Sequence, residues 1–285
     1  MFKRRISKRL DIHLQIQANL IRQEIVKMLA QAQSGHLAGA MGMTDIFSAL
    51  YFGGILRYRV EQPNWSDRDL LVLSNGHVCP VLYASLALAG FFPTEELKTL
   101  RQFGSRLQGH PHRGELPCIE NTSGPLGEGL SQAAGMALSD KIDGGKDRYI
   151  YCLLGDGELD EGQNWEAFLL ANKYHLSNLI AIVDRNKIQI DGWTEGVLPL
   201  EPLAKKFEAF GWQTQEIDGH NFSEIFTAIE RAKKSSRPSI IIANNVPGKG
   251  VKNFENKPIW HGKAPNATEA KQALQELQSN LAKLK

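Results

Sequence analysis

The chain has 285 residues, of which 42% are hydrophobic and 22% are charged, and its formal net charge at pH 7 is +2. A net charge so close to neutral argues against nucleic acid as a partner. The basic residues Lys3–Arg5 are not followed by an apolar stretch long enough for a secretion signal or a membrane span. Cys79, Cys118 and Cys152 form no CxxC pair, so we expect free thiols in a reducing cytoplasm.

Helix-like and strand-like patterns alternate along the chain. The predicted helices are 12–33, 44–52, 80–89, 94–103, 126–141, 163–175, 203–210, 223–233 and 268–284. The predicted strands are 70–73, 149–154, 179–183, 214–217 and 239–243. Residues 104–124 show no period and are predicted to form a long loop. This alternation predicts a single α/β domain over residues 1–285, with a doubly wound parallel sheet and helices on both faces.

The segment from 149 to 187 predicts a strand, a helix and a second strand, with polar residues directly after each strand. Gly155-Asp156-Gly157 follows the first strand, and Asn186 follows the second. Parallel strands joined by a helix point the same way, so their carboxyl ends lie side by side. We therefore expect Asp156 and Asn186 to meet at one edge of the sheet. The helix between them is predicted to have Trp165, Phe168 and Leu169 on its apolar side.

The chemistry of this edge indicates a metal-bridged diphosphate. Gly155 and Gly157 allow a tight turn and a close approach of the backbone to a ligand, and the following helix N-terminus favours an anion. One carboxylate and one amide oxygen, from Asp156 and Asn186, suit Mg²⁺, which shares its coordination sphere with phosphate and water. An acidic turn before a helix is the alternative, and a GDG triplet without the spaced asparagine would favour it.

GDG followed by an asparagine at this spacing resembles the diphosphate-binding motif of thiamine-diphosphate enzymes. The fuller pattern, GDGELDEG followed by IVDRNKIQIDG, is similar to that of transketolases. The resemblance implies a thiamine-diphosphate-binding domain and a Mg²⁺ ion, or Ca²⁺ or Mn²⁺ in its place. It implies that Asp156, Asn186 and the backbone carbonyl of Ile188 bind the metal, and that Gly155, Asp156, Gly157 and Asn186 contact the cofactor.

Four histidines lie in loops beside glycine, in the segments SGH, SNGH, GHP and WHG. Each alone is typical of a solvent-facing loop, but SGH, LSNGH, GHP and HGKAP occur in transketolases in this order. The resemblance implies catalytic roles for His36, His77, His110 and His261, which would line the channel to the thiazolium and contact the hydroxyls and developing oxyanion of a ketose. It also implies that His77 and His261 contact the cofactor. Imidazole suits these roles because it can donate to an oxyanion or exchange a proton near pH 7.

The segment SGPLGEG, residues 123–129, resembles a transketolase segment that lies against the cofactor. The resemblance implies cofactor contacts for Gly124, Pro125 and Leu126, although an ordinary loop-to-helix transition would also produce this pattern. Glu128 replaces the usual glutamine and is expected to point away from the diphosphate or to pair with another group. Glu161 matches an acidic residue that helps to connect the cofactor sites of a dimer in relatives, and is predicted to contribute to cofactor binding.

The resemblance extends from about residue 26 to residue 265. Full-length transketolases also carry pyrimidine-binding and C-terminal domains, and the first holds the glutamate that activates the aminopyrimidine ring. We expect those domains on a partner chain, in an assembly of two copies of each chain. The implied function is the diphosphate- and Mg²⁺-binding subunit of a two-chain transketolase, which moves a two-carbon ketol unit from a ketose phosphate to an aldose. The enzyme would be active only with its partner, and would be cytoplasmic and not membrane-bound.

Other functions stay open. Leu37-Ala38 follows SGH where transketolases commonly have Pro-Gly, and the deoxyxylulose-phosphate synthases are closer there. The α chain of a 2-oxoacid dehydrogenase shares the GDG and asparagine pattern. A non-catalytic half that only binds the cofactor is a third possibility. Outside the four motifs, His220 is interpreted as a turn residue, and the remaining histidines are interpreted as surface residues: His13, His112 and His175.

Overall fold

The computed structural model describes residues 6–144, 147–190 and 192–284, so the basic residues Lys3–Arg5 lie outside the described part. The helices are α1 (Lys8–Ala32), α2 (Ala38–Gly42), α3 (Thr44–Phe52), α4 (Cys79–Leu88), α5 (Glu128–Ile142), α6 (Gly162–Lys173), α7 (Thr194–Val197), α8 (Leu203–Ala209), α9 (Phe222–Lys233) and α10 (Ala267–Ala282). The strands are β1 (Leu70–Leu73), β2 (Ile150–Gly155), β3 (Leu179–Arg185), β4 (Ile188–Gln189), β5 (Gly192–Trp193), β6 (Gln213–Asp218) and β7 (Ser239–Asn244).

The described residues form a parallel sheet of five strands, in the spatial order β1, β2, β3, β7, β6. The predicted α/β class and parallel sheet are confirmed. In the central pair, Gly155 of β2 lies opposite Asp184 of β3. This register brings the polar residues that follow the two strands to the same edge of the sheet.

Apolar layers cover both faces of the sheet, as predicted for a doubly wound fold. Alternate side chains of a strand point to opposite faces. Leu71 and Leu73 of β1 pack in the layer formed with α1, α3, α4, α9 and α10. Val72 packs in the other layer, with α5, α6 and α8. Because both faces are covered, β3 is buried along its whole length and its sequence is nearly continuously apolar.

Local signals define several helix ends. The side chain of Asn221 accepts a hydrogen bond from the backbone N–H of Glu224 at the start of α9. Asn266 and Glu269 form a capping box at the start of α10, in which each side chain binds the other residue's backbone N–H. These caps satisfy backbone donors that the helix itself leaves without partners.

The secondary structure differs from the predictions in four places. The helix predicted over 94–103 is a 3₁₀ turn, Thr94–Thr99, and Arg101 adopts a left-handed backbone conformation (φ 59°) that a continuing helix excludes. Helices α2 and α7 and the hairpin of β4 with β5 were not predicted, because each is too short to show a period. Residues 104–124 form no regular helix or strand, as predicted.

Two further observations concern the environment of the chain. Cys79, Cys118 and Cys152 are all free thiols, as expected from their spacing. Among the described residues, no helix combines the length and the apolar character that crossing a membrane requires.

Helix α6 shows how the two sides of one helix differ. Phe168 is fully buried and contacts the rings of Trp165, Phe207 and Trp212. Leu169 was predicted on the same apolar side, but 58% of it is exposed. The prediction was wrong because successive residues of a helix point about 100° apart, and the buried side is centred on Phe168.

We expect Phe168→Ala to lower the free energy of unfolding of the chain by about 3–5 kcal/mol, because it leaves a cavity among packed aromatic rings. Leu169→Ala is the matched control and should change the free energy by less than about 0.5 kcal/mol. Urea unfolding followed by circular dichroism measures both. Similar losses for the two variants would contradict the assignment of Phe168 to the core.

Candidate active site

A cleft of about 220 Å³ lies at the carboxyl edge of β1, β2 and β3. It is lined by most of the residues that sequence analysis predicted for the site: His36, His77, His110, Gly124, Leu126, Gly155, Asp156, Gly157, Asn186, Ile188 and His261. Two predicted residues, Pro125 and Glu161, are exposed beside the cleft and do not line it. Glu128 is also exposed and does not line the cleft.

Asp156 is 1% exposed, and both of its carboxylate oxygens accept hydrogen bonds. Its Oδ1 accepts from the backbone N–H of Gly157 at 2.8 Å. Its Oδ2 accepts from the backbone N–H of Lys187 at 2.5 Å and from Nη1 of Arg185 at 3.0 Å. The Lys187 contact joins the end of β2 to the residues after β3, so Asp156 and Asn186 share one edge of the sheet, as predicted. Burial raises the pKa of Asp156 to about 6, although these partners oppose the shift.

Asn186 is held by its neighbours in the chain. Its Nδ2 donates to Oδ2 of Asp184 at 2.7 Å, and its Oδ1 accepts from the backbone N–H of Ile188 at 2.9 Å. Oδ1 of Asp184 accepts in turn from Nδ2 of Asn245 at 2.6 Å. Lys187 turns the chain between these contacts with a left-handed φ of 65°. Burial raises the pKa of Asp184 to about 7, and the nearby charge of Asp156 adds to this rise.

The backbone of Gly157 lies so close to Gln189 that a larger side chain would not fit. Its φ is not in the left-handed region, but a Cβ atom added there would lie 2.9 Å from Cβ of Gln189 in β4. A distance below 3.0 Å is essentially never seen for a real Cβ atom. Sequence analysis attributed this glycine to a tight turn and to the approach of a ligand, and the structure shows that it also makes room for the hairpin of β4 and β5.

The four predicted histidines converge on the opposite side of the cleft. The ring centroids of His36 and His77 are 4.9 Å apart, and that of His261 lies 5.5 Å and 5.4 Å from them. His110 approaches the same turn, since a Cβ atom added at Gly76 would lie 3.4 Å from its Cδ2 atom. The cleft therefore has a carboxylate and amide side and an imidazole side.

All four imidazoles have lowered pKa values. Burial, reinforced by His261, Arg101 and His110, lowers the pKa of His36 to about 4. Burial and the neighbouring His36 and His261 hold the pKa of His77 well below its usual value. Burial also lowers the pKa of His261, and burial together with Arg101 lowers that of His110. At neutral pH each ring is therefore neutral, with one nitrogen that donates and one that accepts.

The chain matches a known protein family over nearly its whole length. The family model of the transketolase thiamine diphosphate binding domain matches residues 14–283. The chain belongs to the transketolase family. It is 44% identical over 269 residues to a 6-deoxy-6-sulfo-D-fructose transketolase subunit of Clostridium sp. (strain MSTE9), covering 94% of this chain and 97% of that one. It is 38% identical over 274 residues to an apulose-4-phosphate transketolase subunit of Phocaeicola vulgatus, covering 95% and 96% of the two chains.

Solved transketolases share the fold. The crystal structure of transketolase from Campylobacter jejuni matches with a TM-score of 0.88 and 35% identity, over 98% of this chain and 46% of that one. The chain thus spans about half the length of that transketolase, and nearly the whole length of the two relatives named as subunits.

The cleft suits the cofactor for which this transketolase domain is named. Two buried polar atoms, Nδ1 of His36 and Oδ1 of Asn75, have no hydrogen-bond partner among the described residues. Both residues line the cleft, and a buried polar atom without a partner is costly, so these atoms mark a place for a polar ligand. Asp156 and Asn186 also retain acceptor capacity, because each carboxylate or amide oxygen has two lone pairs.

A divalent ion would complete the acidic side of the cleft. Asp156, Glu158 and Asp184 all line it, and Arg185, which pairs with Asp156, does not. No described group of three or more His, Cys, Asp or Glu side chains is arranged to hold a metal by itself.

Sequence analysis missed several residues of the cleft. Asn75, Glu158, Asp184, Gln189 and Ile190 line it but were not predicted as site residues. Asn75, Glu158 and Asp184 lie at or just after the carboxyl ends of β1, β2 and β3, and Gln189 and Ile190 directly follow the predicted Ile188. The first three could have been found from their positions at the ends of parallel strands, where ligands of open α/β sheets bind.

Leu37 and Ala38, at which the chain departs from the common transketolase pattern, lie behind the cleft. Leu37 is fully buried, and the carbonyl of Ala38 accepts from the backbone N–H of Gly248 at 2.8 Å. In the next position, a Cβ atom added at Gly39 would lie 3.8 Å from Oδ2 of Asp184. Neither Leu37 nor Ala38 lines the cleft.

His220 lies in a turn as predicted, but its side chain is a structural anchor. Its Nε2 accepts from the backbone N–H of Val246 at 2.8 Å, so Nδ1 carries the proton and donates to Oδ2 of Asp45 at 2.6 Å. Nη2 of Arg22 donates to the same oxygen at 2.5 Å. Arg22, Asp45 and His220 border a separate polar cavity of about 440 Å³ that none of the predicted site residues lines. The surface prediction is confirmed for the other histidines outside the cleft: His13, His112 and His175.

The neutral histidines make stability depend on pH. An unfolded histidine takes up a proton near pH 6.5, whereas the folded chain holds the pKa of His36 near 4. Between these values the unfolded state binds more protons at this residue, so the contribution of His36 to stability falls as the pH is lowered from about 6.5 to about 4, against the opposite contributions of Asp156 and Asp184, whose pKa values are raised. We expect His36→Gln to reduce this slope, and the exposed control His13→Gln to leave it unchanged. Urea unfolding across that range measures the slope, and an unaltered slope in His36→Gln would contradict the burial of a neutral ring.

Proposed function

We propose that this chain is the thiamine-diphosphate- and Mg²⁺-binding subunit of a two-chain transketolase. The enzyme transfers a two-carbon ketol unit from a ketose phosphate donor to an aldose acceptor. The observation that carries the proposal is the convergence of four neutral histidines with Asp156 and Asn186 in one cleft at the carboxyl edge of the sheet. Neither a cofactor-binding scaffold nor a structural protein requires the histidine side of such a cleft.

Each side of the cleft has a separate task. Asp156, Asn186 and the backbone carbonyl of Ile188 would hold Mg²⁺, or Ca²⁺ or Mn²⁺ in its place, against the diphosphate. Gly124, Leu126, Gly155 and Gly157 would form the wall beside it, with Pro125 and Glu161 at its outer margin. When bound, thiamine diphosphate supplies the carbon nucleophile and the electron sink needed to break and form a bond next to a carbonyl.

The histidines would act on the sugar. His36, His77, His110 and His261 are neutral, so each can donate one hydrogen bond to a ketose oxygen and accept one from a hydroxyl. Donors held in place before the reaction favour the developing oxyanion without further reorganisation. His77 and His261 would also contact the cofactor. The described cleft lining contains no lysine or arginine, so the phosphate of the substrate would be bound by the partner.

The need for a partner is supported by the surface around the cleft. Leu126 and Ile190 line the cleft and are nevertheless 39% and 74% exposed. Trp193, Val197 and Leu198, which follow Ile190 within eight residues of the chain, are also exposed apolar side chains. Contiguous exposed apolar surface marks an interaction site. We propose a partner that carries the pyrimidine-binding and C-terminal domains, in an assembly of two copies of each chain.

The relatives support the same arrangement. Two proteins of nearly equal length are named as transketolase subunits, whereas a longer transketolase contains this chain as about half of its length. Three free thiols are compatible with a reducing cytoplasm, which we propose as the location. A deoxyxylulose-phosphate synthase, the α chain of a 2-oxoacid dehydrogenase and a non-catalytic half remain the alternatives, and the assay below separates ketol transfer from all three.

The metal assignment is tested by Asp156→Asn. This change keeps the size of the side chain but removes its charge, so we expect Mg²⁺-dependent binding of thiamine diphosphate to weaken by at least about 10-fold. Calorimetry on the assembled two-chain protein measures the dissociation constant. Asp67→Asn, at an exposed position far along the chain, is the matched control. An unchanged dissociation constant in Asp156→Asn would rule out Asp156 as a metal ligand.

The function is tested by reconstitution. The purified chain, a chain carrying the pyrimidine-binding domain, and their mixture are assayed for ketol transfer with thiamine diphosphate and Mg²⁺. We expect turnover only in the mixture, because the group that activates the aminopyrimidine lies on the partner. Full turnover by this chain alone would refute the two-chain proposal. A mixture that binds the cofactor but transfers no ketol unit would favour the alternatives.

A further inference from the structure

Glu158 is a buried carboxylate with no role in the proposed chemistry. It follows the GDG turn directly, is 2% exposed, and lines the floor of the cleft. Its Oε1 accepts from Oγ of Ser74 and from the backbone N–H of Gly127 at 2.9 Å. Its Oε2 accepts from the backbone N–H of Gly155 at 3.0 Å. Both oxygens therefore accept hydrogen bonds from donors within the chain.

The three donors belong to three separate segments of the cleft. Ser74 begins the turn that carries His77, and it is 84 residues from Glu158 in the chain. Gly127 ends the turn that carries Leu126, at a separation of 31 residues. Gly155 precedes Asp156. One carboxylate thus joins the histidine side, the glycine wall and the metal side of the cleft.

The residues around the Glu158 carboxylate are packed so closely that it has little room to move. Oγ of Ser74 also accepts from the backbone N–H of Gly129 at 3.1 Å, which extends the network into the first turn of α5. A Cβ atom added at Gly129 would overlap Cβ of Ser74, so the two segments are in direct contact. Gly127 has a left-handed φ of 86°, which glycine adopts without strain. A shift of Glu158 would therefore move all three segments.

Only a carboxylate satisfies this set of donors. Two backbone N–H groups and one hydroxyl point at the two oxygens, and an ionised carboxylate is an acceptor at both. A glutamine has one acceptor oxygen, and its NH₂ group would face a donor. A negative charge beside a diphosphate is unfavourable in itself, so the acceptor requirement explains why an acidic residue is present here.

We propose that Glu158 is a positioning residue that holds the SNGH, GPLGEG and GDG segments in the arrangement that binds thiamine diphosphate. The inference rests on the proposed function, because it concerns the same cleft. It assigns no contact between Glu158 and the cofactor. Glu158 would hold the three segments in their binding arrangement before the cofactor binds. This reduces the entropy lost in ordering them on binding.

The test compares the assembled two-chain protein with its Glu158→Gln variant. Calorimetric titration with thiamine diphosphate and Mg²⁺ gives the dissociation constant, and the melting temperature of the cofactor-free protein is measured alongside. We expect the dissociation constant to rise by about 10- to 100-fold, as for loss of hydrogen bonds to a charged group. Glu208→Gln, the same change on the exposed side of α8, is the control and should bind as the wild type does.

A second variant, Ser74→Ala, removes one donor and leaves the carboxylate. We expect a smaller rise in the dissociation constant, and the double variant should resemble Glu158→Gln, because the two side chains act through one network. If Glu158→Gln does not fold, Ser74→Ala decides the question by the same measurement.

The outcomes are distinct. A lower melting temperature with an unchanged dissociation constant would mean that Glu158 serves stability alone, and would overturn the inference. Wild-type affinity in Ser74→Ala, where that variant has to decide, would overturn it as well. If the wild-type assembly binds no thiamine diphosphate, the proposed function fails, and the experiment separates that result from failure of the positioning role.

Discussion

The parallel pairing of β2 with β3 is the constraint on which the cleft depends. Its register sets Gly155 opposite Asp184, so the residues that leave the two strands emerge together. The backbone N–H of Lys187 can then reach Asp156, and Arg185 can pair with the same carboxylate. A shift of one residue in this pairing would turn the side chains of β3 to the opposite face and separate these groups. The chemistry of the site is therefore a consequence of how the sheet is assembled.

Burial favours the neutral form of the titratable groups on both sides of the cleft. It raises the pKa values of Asp156 and Asp184 and lowers those of His36 and His77, so each group is shifted toward its neutral form. A divalent cation on the acidic side would restore the charged carboxylates, and a diphosphate would in turn balance the cation. The neutral imidazoles keep both a donor and an acceptor for a sugar. The two sides are thus prepared for ligands of different polarity within one cleft.

Sequence reasoning predicted the parts of the site that have a position along the chain. Asp156 and Asn186 could be placed at one edge because parallel strands end together, and the four histidines could be grouped because their motifs follow a known order. It failed for Glu158, whose donors come from Ser74 and Gly127, since nothing in a linear pattern indicates that a side chain bridges segments 84 and 31 residues away. It also misjudged Leu169, because helical periodicity does not define where a buried side ends.

The sequence by itself determined the order of strands and helices, the polar residues after each strand, and the family to which the motifs point. These depend on local periodicity and on residue type, which the linear chain contains. Only the tertiary structure decided that Glu158 joins three segments, that Gly157 admits the hairpin against Gln189, and that the histidines are neutral. Those properties depend on distances and on the exclusion of water, and both exist only after the chain has packed.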